Sequence, residues 1–153
     1  MNWVAEKPSE HDIQKVMMEW ATRHPKHGRS FFSFAIPNGA KLPYAKNKAG
    51  KRFSPQAAKL KAEGMRNGVS DIGLMFYGSR MVFVEVKKPE KSSKQSEDQI
   101  AFELICRDLG FEYHVVRDFY EFERLVEERL KPSFADILAG FRQILRRISG
   151  LDL

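Results

Sequence analysis

Cysteine is nearly missing: Cys106 stands alone among 153 residues, so neither a disulfide framework nor a multi-thiolate zinc site can be built. Long apolar runs are missing too. None approaches the roughly 20 residues of a membrane span, and the opening residues MNWVAEKPSEHD hold no signal-peptide core. There is no serine–histidine–acid pattern, Walker loop or G-x-G-x-x-G, which leaves covalent and nucleotide-driven mechanisms without support. These absences lead us to expect a soluble protein of a reducing compartment, cytoplasmic and not secreted. What is present is globular material, 42% hydrophobic, 12% aromatic and 30% charged. A chain of this length buries about two-thirds of its extended surface and makes one domain.

Charge is unevenly placed. The net charge is +6, and the excess sits in one stretch. Between Lys41 and Arg66, eight basic residues face Glu63 alone, while the remainder is close to neutral. A near-neutral body with one basic segment suits either a polyanion-binding surface or a solvated loop.

Periodicity orders the chain. Ile13, Val16, Met17, Trp20 and Ala21 recur at helical spacing after Pro8 and the N-cap candidate Ser9, predicting a helix to about Arg23. Glu10 lies about 20° from Met17 on that wheel, on the buried flank, where a carboxylate needs a partner. Phe31 to Ile36 reads as a strand closed by Pro37-Asn38-Gly39, and the basic segment reads as a loop through Arg52. Ser54-Pro55 opens a short helix that Gly64 ends.

Val69–Tyr77 and Met81–Lys87 then form a predicted hairpin around Gly78-Ser79-Arg80. A three-residue loop puts Asp71 opposite Lys87 and diagonal to Glu85, all on one face; a two-residue loop would send them to opposite faces. Pro89 to Gln95 reads as a polar, mobile linker. A helix from Glu97 to Leu109, a strand from Phe111 to Val116 and a helix opened by Asp118-x-x-Glu121 follow. Beyond Pro132, an amphipathic helix over Phe134 to Ser149 is expected to pack on the domain or at a twofold interface. The class is α/β.

The constellation with chemical content is Asp71 with Glu85-Val86-Lys87. Carboxylates converging from adjacent strands can hold a hard divalent cation, which polarises phosphoryl oxygens and acidifies water. A lysine beside them can neutralise charge growing in the transition state. The plainer reading makes Lys87 a cross-strand salt-bridge partner of Asp71, with Glu85 at a solvated strand end. His24 and His27 flank Pro25 with no further ligand nearby, and His11 and His114 are isolated. All four read as surface or structural, and Cys106 reads as a core residue.

Taken in order, Glu10 with Gln14, Asn38-Gly39, K-x-E-G at Lys61–Gly64, G-V-S-D-I at Gly68–Ile72, F-V-E-V-K at Phe83–Lys87 and S-x-x-Q at Ser96–Gln99 resemble the VRR-NUC nucleases of the PD-(D/E)XK superfamily. The resemblance spans roughly residues 9 to 120. It departs at Ser70, where the family usually has proline. It implies a restriction-endonuclease-like core: a central mixed β-sheet flanked by helices, with an extra C-terminal helix. Residues 1–131 would be the nuclease domain and 132–153 that helix.

The same resemblance makes Asp71, Glu85, the Val86 carbonyl and Glu10 ligands of Mg2+ or Mn2+, Lys87 the catalytic lysine, and Gln99 either a site residue or only a helix cap. DNA phosphates would meet Asn38, Lys46, Lys48, Lys51, Arg52, Lys59 and Lys61. The expected activity is metal-dependent, structure-specific cleavage of DNA by a homodimer, as in a stand-alone viral Holliday-junction resolvase, which would act in the host-cell cytoplasm. A flap or nicking nuclease and a non-catalytic nucleic-acid-binding module are the alternatives.

Overall fold

A computed structural model describes residues 8–37, 45–46, 52–90, 92–131 and the single positions 138, 142 and 144. Helix α1 (Glu10–Arg23) begins where the sequence predicts. The Ser9 hydroxyl accepts from the Asp12 N–H, and the Asp12 carboxylate accepts in return from the Ser9 N–H, closing a capping box. Strand β1 (Phe31–Ala35) follows, then β2 (Ala45–Lys46) and β3 (Arg52–Phe53). These two pair as a small antiparallel ladder. The sequence predicts a loop there. Two-residue strands carry no usable alternation, so pattern could not find them. Helix α2 (Pro55–Ala62) is capped by Ser54 and ends before Gly64 at φ 104°.

Strands β4 (Ile72–Phe76) and β5 (Arg80–Val86), helix α3 (Glu97–Asp108), strand β6 (Glu112–Val116) and helix α4 (Phe119–Leu130) complete the described chain. The main sheet has four strands in the order β1-β4-β5-β6. β1, β4 and β5 are antiparallel neighbours, and β6 joins β5 in parallel after the α3 crossover. One face, with Ile72, Leu74, Val82, Val84 and Val86, packs with Met17 of α1 and Phe122 and Val126 of α4 in a single buried core. The opposite face meets α3 through edge-on contacts of Phe83 with Phe102 and of Phe102 with Tyr113. Cys106 is buried, as expected of a core thiol.

The hairpin register differs from expectation in one respect. The loop is Tyr77-Gly78-Ser79, so Phe76 faces Arg80 and Ile72 faces Val84. Gly78 (φ 84°) and Ser79 (φ 60°) both take left-handed backbone, which lets the reversal start one residue early. By the same register Asp71 falls opposite Glu85 rather than Lys87. A slip of two residues leaves every side chain on its own face, because the pleat repeats every two residues. The proposed shared face survives.

Asn38, Lys48, Lys51 and the expected C-terminal helix lie outside the described residues, apart from helical positions 138, 142 and 144. No described helix is long and apolar enough to cross a membrane.

Candidate active site

Glu85 sits at the end of β5, 1% exposed. A carboxylate this buried must be paired. One oxygen is: Glu85 Oε1 meets the Lys87 ammonium at 3.0 Å and accepts a hydrogen bond from the Gln99 amide. Oε2 meets no hydrogen-bond donor among the described residues, and the Glu85 side chain hydrogen-bonds the Asp71 carboxyl when one of the two carries a proton. Lys87, two residues on and itself buried, reaches Glu85 rather than forming the Asp71 pair that the plainer reading required.

Asp71, just before β4, accepts a hydrogen bond at Oδ2 from the Val86 N–H at 2.9 Å, which locks it across from Glu85. Its carbonyl accepts from Ile36 N–H (2.7 Å) and from the Gln14 amide (3.3 Å), tying it to β1 and α1. Ser70, in place of proline, is buried and donates its hydroxyl to the Ile72 carbonyl at 3.3 Å.

Electrostatics follow from this crowding. Burial, then the neighbouring Asp71, push the Glu85 carboxyl up from 4.5 to about 7. Burial also raises Asp71, against the Val86 hydrogen bond and the nearby Lys87 charge, which lower it. Two carboxyls whose ionisation is opposed by burial, with an oxygen that meets no donor, are poised to receive a cation. Among the described residues no three His, Cys, Asp or Glu side chains form a ready-made metal cage. Asp71 and Glu85 are the carboxylates that could hold a cation here, and their fit rests on the Glu85 oxygen that meets no donor.

Gln99 caps its helix and also contacts Glu85. Its side-chain oxygen accepts from the Ser96 N–H to close the α3 capping box, and its amide nitrogen donates to Glu85. The cap therefore aims the amide. Glu10 lies at the first residue of α1, and its like charge helps raise both Asp71 and Glu85. Its own Oε1 is held by the Ser93 hydroxyl at 2.9 Å and by the Lys88 N–H at 3.3 Å.

The segment expected to be a mobile linker is instead fastened. Arg117, at the end of β6, donates to the carbonyls of Lys88 (2.7 Å), Ser93 (2.9 Å) and Glu90 (3.3 Å). Gln95 donates to Glu103 at 2.8 Å. One guanidinium with several donors in a fixed fork can satisfy three carbonyls of an irregular turn. Arg117 thereby holds the turn that presents Ser93 to Glu10. Sequence reasoning missed it, since nothing local marks a contact between residues this far apart in the chain.

Of the basic residues, Lys46, Lys59 and Lys61 are exposed, and Lys59 pairs loosely with Glu63 at 3.7 Å. Arg52 lies on β3 beside Lys46. His24 contacts Glu127 at 2.9 Å, and the His27 ring accepts from the Ser33 N–H, so both are structural as read.

No protein-family model matches the sequence, and no curated protein matches it. Among solved structures, one named "VRR_NUC domain protein" aligns at 19% identity, over 83% of this chain and 92% of that one, with a TM-score of 0.58. The chain has the fold of a VRR_NUC domain. A second structure, "VRR_NUC domain", aligns at 19% identity over 77% of this chain and 94% of that one, with a TM-score of 0.48. In this fold Glu85 contacts Lys87 and Gln99 at one end of the central hairpin, Asp71 is fixed just before the neighbouring strand by the Val86 N–H, and Glu10 is near enough for its charge to act on both carboxyls.

Proposed function

We propose that the chain is a VRR-NUC nuclease: a metal-dependent, structure-specific DNA endonuclease that acts as a homodimer on branched DNA such as four-way junctions. The observation that carries this reading is the buried Glu85, held at one oxygen by Lys87 and Gln99 and meeting no donor at the other. An unsatisfied buried acceptor costs about 1–3 kcal/mol. A protein that keeps one at such a point gains by having a ligand there.

Asp71, Glu85 and the Val86 carbonyl would hold Mg2+ or Mn2+, with Glu10 on the flank. When bound, such an ion supplies Lewis acidity toward a phosphoryl oxygen and acidity to water. The protein's own groups do the rest. Gln99 fixes the Glu85 carboxylate, and Val86 N–H fixes Asp71. Lys87 offers a fixed positive charge where negative charge grows on the phosphate. Exposed Lys46, Lys59 and Lys61, on the basic segment, would take backbone phosphates, which position DNA without reading its sequence.

The test is cleavage of four-way-junction, flapped and linear DNAs by purified protein, with and without Mg2+ or Mn2+. Metal-dependent cutting of the junction in preference to linear duplex is expected. No cutting of any of them would favour the non-catalytic binding module, and cutting confined to flaps or nicks the nuclease of different substrate.

Two further outcomes are expected. Arg117→Ala leaves three carbonyls without their donor and frees the turn that holds Glu10. Turnover should fall about 10- to 100-fold, as on loss of outer-shell support, with a lower melting temperature and weaker Mn2+ binding by calorimetry. The raised Glu85 pKa also fixes a sign. The folded state holds this proton more tightly than the unfolded one, so the contribution to stability is full below about 4.5 and is lost as pH rises through about 7. Melting of the metal-free protein followed from pH 5 to 8 should show that decline, and Mn2+ affinity should rise over the same interval because the ion displaces the proton.

A further inference from the structure

The face of the sheet that carries Asp71 and Glu85 is not covered evenly. α3 lies over its β5–β6 half, and the β1–β4 half bears an aromatic file. Phe34 pairs with Gly73 and lays its ring over that glycine, where a Cβ would stand 2.3 Å from the ring. Phe32 stacks on Phe34 with ring centroids 6.5 Å apart and 26° between ring planes, and the His27 ring is tilted against Phe32 at 5.0 Å and 31°. Alternation puts Phe32 and Phe34 on the same face as Asp71, and the Gly73–Phe34 row is one pleat repeat from Asp71, about 7 Å along the strand.

Filling the gap above a glycine accounts for Phe34. It does not account for Phe32, which is 44% exposed beside Met75 at 46% and is flanked by the Phe34 and His27 rings. An exposed ring fixed in this way is pre-organised for a planar partner. The rim is cationic: Lys26 and Arg29 are exposed in the turn that carries His27, and Arg29 lines an open trough with Phe32, Met75 and Tyr77. Aromatic faces beside cations are the combination that binds unpaired nucleotides, bases on the rings and backbone on the charges.

We propose that the Phe32–Phe34 pair, backed by His27, is a stacking platform for a nucleobase that leaves its pair at the branch point of the strand entering the Asp71–Glu85 site, so that branched DNA whose bases open there is bound in preference to continuous duplex. This rests on the nuclease reading and adds to it the feature of the substrate that is recognised.

The experiment compares full-length wild type, Phe32→Ala and Phe32→Leu without divalent metal. The probes are a duplex with a short single-stranded tail carrying 2-aminopurine and the same duplex fully paired. Wild type should bind the tailed probe more tightly and quench its fluorescence. Both variants should lose the quench and about 5- to 100-fold of tailed-probe affinity, as expected for one lost base–aromatic stack, with the paired probe changed less than about twofold. Leucine keeps the apolar bulk, so retained affinity in Phe32→Leu would overturn stacking. Equal loss on both probes, or a dimer that becomes monomer in Phe32→Ala, would overturn it too, the latter by giving the face to a second copy. If wild type binds both probes and Phe32→Ala changes nothing, the platform fails and the nuclease reading stands. If wild type binds neither, both fall.

Discussion

Glu85→Gln is expected to lower the rate of DNA cleavage by about 10³-fold or more and to leave DNA affinity within a few fold. Glutamine matches the shape of glutamate and keeps an oxygen toward Lys87 and Gln99, so the fold has no reason to change. What it removes is the carboxylate charge, shared by both oxygens, that neutralises Lys87 and would meet a cation. The stability readout separates this account from a merely structural one. At pH 8 the native carboxylate is ionised against its burial and against Asp71, since its pKa lies at about 7. Glu85→Gln relieves that cost but leaves the buried Lys87 ammonium facing a neutral amide, so the decisive readout is that it should lose the extra stability that Mn2+ gives wild type. Lys87→Met, which keeps the stem and drops the ammonium, should cut turnover comparably. Single-turnover cleavage and melting with and without Mn2+ check both variants.

The second large effect is expected at Gly68. Its φ is +76°, and an added Cβ would lie 2.2 Å from the Asp98 carbonyl oxygen and 2.7 Å from the Gln99 nitrogen. Those atoms are backbone in the first turn of α3 and cannot swing aside. Left-handed strain costs about 1–2 kcal/mol, and displacing a helix end brings the total for Gly68→Ala to about 3–5 kcal/mol, at the high end for single substitutions. At Gly73 the three nearest atoms all belong to the Phe34 ring, a side chain that can move, and the cost there should be smaller. The consequence at Gly68 is also chemical. The turn it abuts aims Gln99 at Glu85, so surviving folded protein should cleave poorly even at low temperature. Denaturant melts together with cleavage below the melting temperature separate the two losses.

Much of this was legible in the sequence because it depends on periodicity and caps. The shared face of Asp71, Glu85 and Lys87 follows from a two-residue pleat, and it survived a wrong guess of where the turn starts, since a slip of two preserves faces. Ser96-x-x-Gln99 announced a cap, and the cap proved to be the means by which Gln99 reaches Glu85. What could not be read was non-local. Arg117 binds three carbonyls more than twenty residues away, and Pro89–Gln95 looked loose because its ties come from other elements. The β2–β3 ladder was too short to leave a pattern. The aromatic file was hidden for another reason: FFSF at Phe31–Phe34 reads as a strand whichever face its rings take, and exposure appears only once the sheet and α3 are in place.

Anomalous scattering from crystals grown with Mn2+ tests the central claim most directly. The account predicts a peak between Asp71 and the Glu85 oxygen that meets no donor, and its loss in Glu85→Gln. A map with no peak between those carboxylates, from crystals with manganese bound elsewhere on the protein, would contradict it.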